Sequence, residues 1–203
     1  MHARAPRLIL ASGSPQRKQL LADAGYDSVA IEPGAHAECG ICSRESPGEL
    51  VARLAYQKAA DVAGQLHARC GAPPGEIVVA CDTVAECLGQ ILGKPADVSD
   101  ARRMLQTLRG QVHRVYSGLC VWDLSSGVIS VGVAHTTLEM DPLDDAQIEE
   151  YLASGQWQGK AGAFGWQDRP GWLRIVEGSE SNVVGLPLEL LAAMLAEERD
   201  GAG

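Results

Sequence analysis

The run EIVVAC, from Glu76 to Cys81, sets the tightest limit on the fold. It is short and nearly unbroken in apolar residues. Such a run fits a strand buried on both faces, at the centre of a covered sheet. Further strands are expected near residues 7–11, 112–124, 127–140 and 172–176, with a hairpin turn at Gly89-Gln90. Helices are expected over 15–24, 47–69, 101–108, 145–153 and 186–198. Pro47 suits the first position of the long helix. Gly110 closes the third, for which Ser99 or Asp100 is the expected start. This alternation implies an α/β fold with a mixed sheet flanked by helices. Strand order does not follow from it. The chain has 203 residues, 46% of them hydrophobic, which fits one domain over 1–203. Aromatics are only 4%, so the core must be mostly Leu, Val, Ile and Ala. No internal repeat or low-complexity linker interrupts it.

Charge and cysteine usage narrow the class. A formal net charge of −9 disfavours binding of a nucleic-acid polymer or an anionic membrane, both of which need a basic face. A small anionic substrate remains compatible, because local charges dominate beyond a screening length of about 8 Å. No run approaches the roughly 20 apolar residues of a membrane helix, and Leu8–Ala11 is too short for a signal-peptide core. A cytoplasmic protein with reduced thiols is therefore expected. Cys81 and Cys120 lie in apolar runs and suit core positions. His36, Cys39 and Cys42 form a single Cys-x-x-Cys with a nearby His, a pattern open to a thiol or zinc site but lacking a second pair.

Several residues could carry chemistry. A strand ends at Ser12-Gly13-Ser14-Pro15 and a helix starts at once. Exposed helix N–H groups, the Ser12 and Ser14 hydroxyls and the Arg17 fork together suit an anion. The same residues also suit an ordinary capped helix with a surface Arg. The Gly-Lys-Ser/Thr ending of a Walker loop is missing. Asp82 follows the EIVVAC run, so it is expected at the strand's carboxyl end, where α/β folds place ligands. It could hold a cation, activate water or cap its own turn. Lys94, fixed between Gly93 and Pro95, could neutralise phosphate or be a loop lysine. Lys58 reads as the surface lysine of an amphipathic helix. Glu32 and Glu38 flank a Pro33-Gly34 turn as metal ligands or exposed acids. His113 reads as a hydrogen-bonded structural histidine.

In order and spacing, the segments LASGSPQRKQLL, RLAYQKA, ACDTV, ILGKPADVSDARRMLQTLRGQVHRVYSGLCV, GKAGAFGWQD and EGSESNVVGLPLELL resemble the Maf-like nucleoside triphosphate pyrophosphatases. These are relatives of the inosine triphosphate pyrophosphatases. The resemblance covers nearly the whole chain. It implies the inosine triphosphate pyrophosphatase-like fold with a nucleotide cleft, a homodimer and a divalent cation, Mg²⁺ or Mn²⁺. It also implies hydrolysis of a nucleoside triphosphate to the monophosphate and pyrophosphate. By motif, Asp82 matches the catalytic acid/base and, with Glu38, a metal ligand. The spacing before Glu38 is one residue longer than usual. Ser12, Ser14, Arg17, Lys58 and Lys94 match phosphate-binding positions. Three positions are associated with base choice in the family. Arg, Thr and Gln mark the dTTP/UTP type; Trp, Gln and Glu mark the 7-methylguanosine type. This chain has Gln16, Thr83 and Gln167, so it resembles the pyrimidine type at two of the three. Uncharged Gln16 is expected to touch base or sugar rather than phosphate. The competing reading is a non-catalytic nucleotide-binding regulator of septum formation or cell division.

Overall fold

The computed structural model describes residues 7–38, 45–70, 75–168 and 171–201. Its first half contains β1 (Arg7–Ala11), α1 (Pro15–Asp23), β2 (Ser28–Ile31), α2 (Pro47–Cys70), β3 (Glu76–Cys87), β4 (Gln90–Leu92) and α3 (Val98–Leu108). The second half adds β5 (Val112–Asp123), β6 (Ile129–Met140), α4 (Asp145–Ala153), β7 (Leu173–Glu177), α5 (Glu180–Val184) and α6 (Leu188–Gly201). Cys39 and Cys42, the pair behind the thiol or zinc reading, lie outside the described residues.

One sheet runs in the order β2-β1-β3-β5-β6-β7, with β4 pairing β3. β1 is parallel to β2 and β3, whereas β3-β5, β5-β6 and β6-β7 are antiparallel. The mixed α/β sheet expected from the sequence is therefore present. β3 is its central strand, and Val78, Val79, Ala80 and Cys81 are fully buried. One face packs on α2 through Ala55, Ala59 and Val62; the other packs on α1 and α6 through Leu21, Leu191 and Leu195. A separate apolar cluster joins α3 and α4 to β6 and the aromatic residues Tyr151, Trp157 and Phe164.

Asp82 does not follow the end of its strand. β3 continues to Cys87, so Asp82 and Thr83 sit mid-strand, with Asp82 opposite Gly118 and Thr83 opposite Ser117. The apolar pattern stops at Cys81 because the next two side chains are no longer enclosed on both faces, yet the backbone ladder to β5 runs on to Glu86. On its other edge, β3 pairs β1 only over Glu76–Val79 and β4 only over Ala85–Cys87. Residues 80–84 therefore have β5 alone, and an open stretch of edge faces the loop that leaves β1. What matters for ligand placement is the carboxyl end of the parallel pair, and Asp82 lies just past it.

Other boundaries also moved. α3 starts at Val98 because the Asp97 carboxylate caps it, accepting from the Asp100 N–H at 2.8 Å. The C-terminal helix starts at Leu188, after Pro187, and the short α5 precedes it. The hairpin expected at Gly89-Gln90 is present, with β4 as its return strand; β2 was not anticipated, and at four residues it is too short for periodicity to register.

α2 is seated by a residue with no side chain. A Cβ on Gly118 would lie 2.1 Å from the Val51 carbonyl oxygen and 2.6 Å from the Ala52 nitrogen. Both are helix backbone atoms and cannot swing aside. Lys58 follows Val51 by seven residues, about two turns along the same side of α2. Gly118→Ala is therefore expected to lift α2 from the sheet, costing about 3 kcal/mol or more in urea denaturation.

Candidate active site

A cleft of about 650 Å³ opens beside the free edge of β3. One end is built by the β1–α1 turn, α2 and Thr83. The other is built by α3, β5, β6, β7 and the segment 158–167. Ser12, Ser14, Gln16, Arg17, Thr83, Lys58, Lys94 and Gln167 all line it. Asp82 joins them through Lys58, whose Nζ donates to its Oδ1 at 2.5 Å. Glu38 closes a short 3-10 turn, Ala35–Glu38, with its backbone; its side chain lies outside what is described.

The β1–α1 turn has the make of an anion cradle. Ser14 caps α1 by accepting from the Arg17 N–H at 3.4 Å, and Pro15 occupies the first turn. The Ser12 hydroxyl oxygen accepts from the Ser14 N–H at 3.1 Å and from Arg17 Nη1 at 3.3 Å. Gly13 lies against the Glu32 carboxylate, whose Oε1 would be 3.0 Å from a Cβ placed there. An acidic oxygen thus already rests beside the turn. The Ser14 hydroxyl donates to Gln16 Oε1 at 3.0 Å, which holds Gln16 at this end of the cleft.

Arg17 has a second task. Its Nε donates to the Gly185 carbonyl at 2.8 Å and its Nη2 to the Thr83 hydroxyl at 3.2 Å. Gly185 has φ 114°, a left-handed conformation natural to glycine, and it terminates α5. Three of the five guanidinium N–H groups are committed, leaving one on each terminal nitrogen for a ligand. Thr83 is shared too, meeting the Ser117 hydroxyl at 2.9 Å.

Lys58 is no surface lysine: its side chain is 6% exposed and its partner Asp82 is 14% exposed. The amphipathic pattern of α2 hid this, because Lys58 lies on the apolar side with Ala55, Ala59 and Val62. Asp82 Oδ2 has no partner among the described residues and is left as an oxygen donor. Lys94 is exposed at the cleft wall, and the adjacent Gly93 carbonyl accepts from the Gly162 N–H at 3.0 Å. Gln167 is exposed at the rim.

Sequence reasoning passed over Lys160 and Asp168. Lys160 lines the cleft and donates to both Asp168 oxygens at 2.5 Å. Asp168 also accepts from the Tyr151 hydroxyl at 2.7 Å and the Gly165 N–H at 3.0 Å. These bonds fold the Phe164–Gln167 stretch around one carboxylate. The only available signal was a pair of opposite charges enclosing the glycine-rich motif. His113, read as structural, also lines the cleft. Burial holds its imidazole below the usual histidine range, with the Gln111 carbonyl and Glu86 charge opposing.

The arrangement defines a mixed-sheet α/β protein with cations and a capped helix start converging on one cleft. Comparison with known sequences agrees. The Maf-like protein family matches residues 7–198. A dTTP/UTP pyrophosphatase of Rhodopirellula baltica is 50% identical over 93% of this chain and 80% of its own length. One from Anaeromyxobacter dehalogenans (strain 2CP-C) is 41% identical over 94% of this chain and 93% of its own. One from Dictyoglomus thermophilum is 36% identical over 93% and 94%. The chain belongs to the Maf-like family.

Asp82→Asn takes the charge out of the 2.5 Å buried contact between Asp82 and Lys58 and is expected to cost about 3 kcal/mol or more. The double change Asp82→Leu with Lys58→Met should return most of that loss. Urea denaturation of the three proteins measures both effects.

Proposed function

We propose that the protein hydrolyses pyrimidine nucleoside triphosphates, dTTP and UTP among them, to the nucleoside monophosphate and pyrophosphate. The observation that carries this reading is the Lys58–Asp82 pair beside the capped start of α1. The names of the relatives point the same way, as do Thr83 and Gln167 at two base-choice positions. A nucleoside triphosphate carries about four negative charges. Arg17, Lys58 and Lys94 would offset them within a chain of net charge −9. A volume of about 650 Å³ suits a ligand of nucleotide size.

In this reading, water attacks the α-phosphorus and the α–β anhydride bond breaks. Asp82 orients that water and takes its proton. Lys58 holds the carboxylate in place. Arg17 and the α1 N–H groups bind phosphate oxygens. Lys94 balances charge on the departing pyrophosphate. Ser12 and Ser14 complete the cradle, while Gln16, Thr83 and Gln167 set base preference.

A divalent cation fits these donors. Asp82 offers Oδ2, and the family resemblance adds Glu38. Among the described residues no group of three His, Cys, Asp or Glu could hold an ion alone. Asp82 and Glu38 would give Mg²⁺ or Mn²⁺ the one or two carboxylates that such ions take beside substrate phosphates and water. When bound, such an ion would supply charge stabilisation to the phosphoryl oxygens. A homodimer and a cytoplasmic location belong to the same reading. Sedimentation velocity checks the former. Among the described residues no helix is long and apolar enough to cross a membrane.

Incubation with dTTP, UTP, CTP and 7-methyl-GTP should release pyrophosphate, fastest from dTTP or UTP, and chelation with EDTA should stop it. Orthophosphate as the product would overturn the reaction, and preference for 7-methyl-GTP would overturn the base class. Asp82→Asn should reduce turnover at least about 10³-fold. Tight nucleotide binding without turnover at any metal concentration would favour the regulator.

A further inference from the structure

The two ends of the cleft differ in chemistry. Ser12, Arg17 and Lys58 stand at one end, while at the other the strands β5, β6 and β7 present an apolar wall beside the segment 158–167. Of the described cleft-lining residues on β5, β6 and β7, His113 alone is polar; the others are Val115, Leu138, Met140 and Leu173. Strand alternation puts His113 and Val115 on one face. Register sets His113 opposite Leu138, and Val115 opposite Ala85. His113 is therefore the one polar group that the described residues of these three strands bring to the cleft.

Its orientation is set by the backbone. His113 Nδ1 lies 3.4 Å from the Gln111 carbonyl oxygen. A carbonyl can only accept, so this contact favours the tautomer with the proton on Nδ1. The neutral ring then presents Nε2 as a bare acceptor. Nε2 has no partner among the described residues. It is not sealed in either: Asn182 Oδ1 is the only described side-chain polar atom both buried and unpartnered. For a residue 5% exposed that lines the cleft, the remaining opening is the cleft itself. Burial, which disfavours the imidazolium, keeps Nε2 in the accepting form.

We propose that His113 is a specificity-determining residue that accepts a hydrogen bond from the N3–H of uracil or thymine through Nε2. This rests on the pyrimidine triphosphate reading. Uracil and thymine carry a hydrogen on N3, whereas cytosine carries a lone pair there. Against Nε2 the first makes a hydrogen bond and the second sets two lone pairs face to face. A site built around a substrate N–H rejects an analogue lacking it far more strongly than an apolar pocket rejects a missing methyl. The apolar walls accept the thymine methyl without discriminating, so dTTP and UTP are treated alike.

The test compares kcat/KM for UTP, CTP and 3-methyluridine triphosphate in the unmodified protein and in His113→Leu. The unmodified protein should favour UTP by about tenfold or more over both others. His113→Leu should lower UTP to the level of CTP and leave CTP unchanged. A folded His113→Leu with an unaltered UTP-to-CTP ratio overturns the proposal. So does equal use of UTP and its 3-methyl derivative by the unmodified protein, an arm that needs no variant to fold. If the unmodified protein turns over no pyrimidine triphosphate, the hydrolysis reading falls first. Calorimetry with UMP and CMP then decides the contact separately: a preference for UMP supports it, and equal or absent binding overturns it.

Discussion

The site depends on a buried charge pair. Lys58 on α2 and Asp82 on β3 lie 24 residues apart in sequence, and their contact offsets the cost of burying both charges. The pair requires α2 to lie close on the sheet, which Gly118 permits by presenting no Cβ to the Val51 carbonyl. It also requires β3 to run past the end of β1, which its ladder to β5 secures. Helix seating, strand register and the placement of the Asp82 carboxylate are therefore one constraint. A shift of β3 by one residue would turn Asp82 to the opposite face.

The open edge of β3 explains why the polar residues collect where they do. Between β1 and β4 the strand has no neighbour on one side. Side chains from the turn after β1 and the Gly185 carbonyl from the α5–α6 junction meet Thr83 there. Ser12, Thr83 and the Gly185 carbonyl surround the Arg17 guanidinium there. Arg17 thus has backbone and hydroxyl acceptors at the gap that fix its orientation within the fold itself.

Much of this was legible in the sequence, unevenly. The EIVVAC run gave a central strand because burial on both faces writes itself as continuous apolarity. The capped start of α1 was legible because such a start has few residue solutions. The extension of β3 was not, since its pattern breaks where side chains turn to the cleft. Lys58 misled because helical periodicity records spacing and not which polar residue has a partner beneath the helix. Lys160 and Asp168 were missed because a carboxylate that organises a loop needs only local closeness, for which no periodic signal exists. His113 was read as structural from its strand position, and only the register of three strands places it on the cleft wall.

The bond between Arg17 and the Gly185 carbonyl joins residues 168 positions apart. Contacts that distant close late, after the shorter loops between them have formed. During synthesis Arg17 emerges 168 residues before Gly185, and until then its guanidinium lacks that anchor. The cradle is thus the first part of the site to be made and among the last to be finished. A nascent or truncated chain would carry its serines and its arginine without the anchor that aims them.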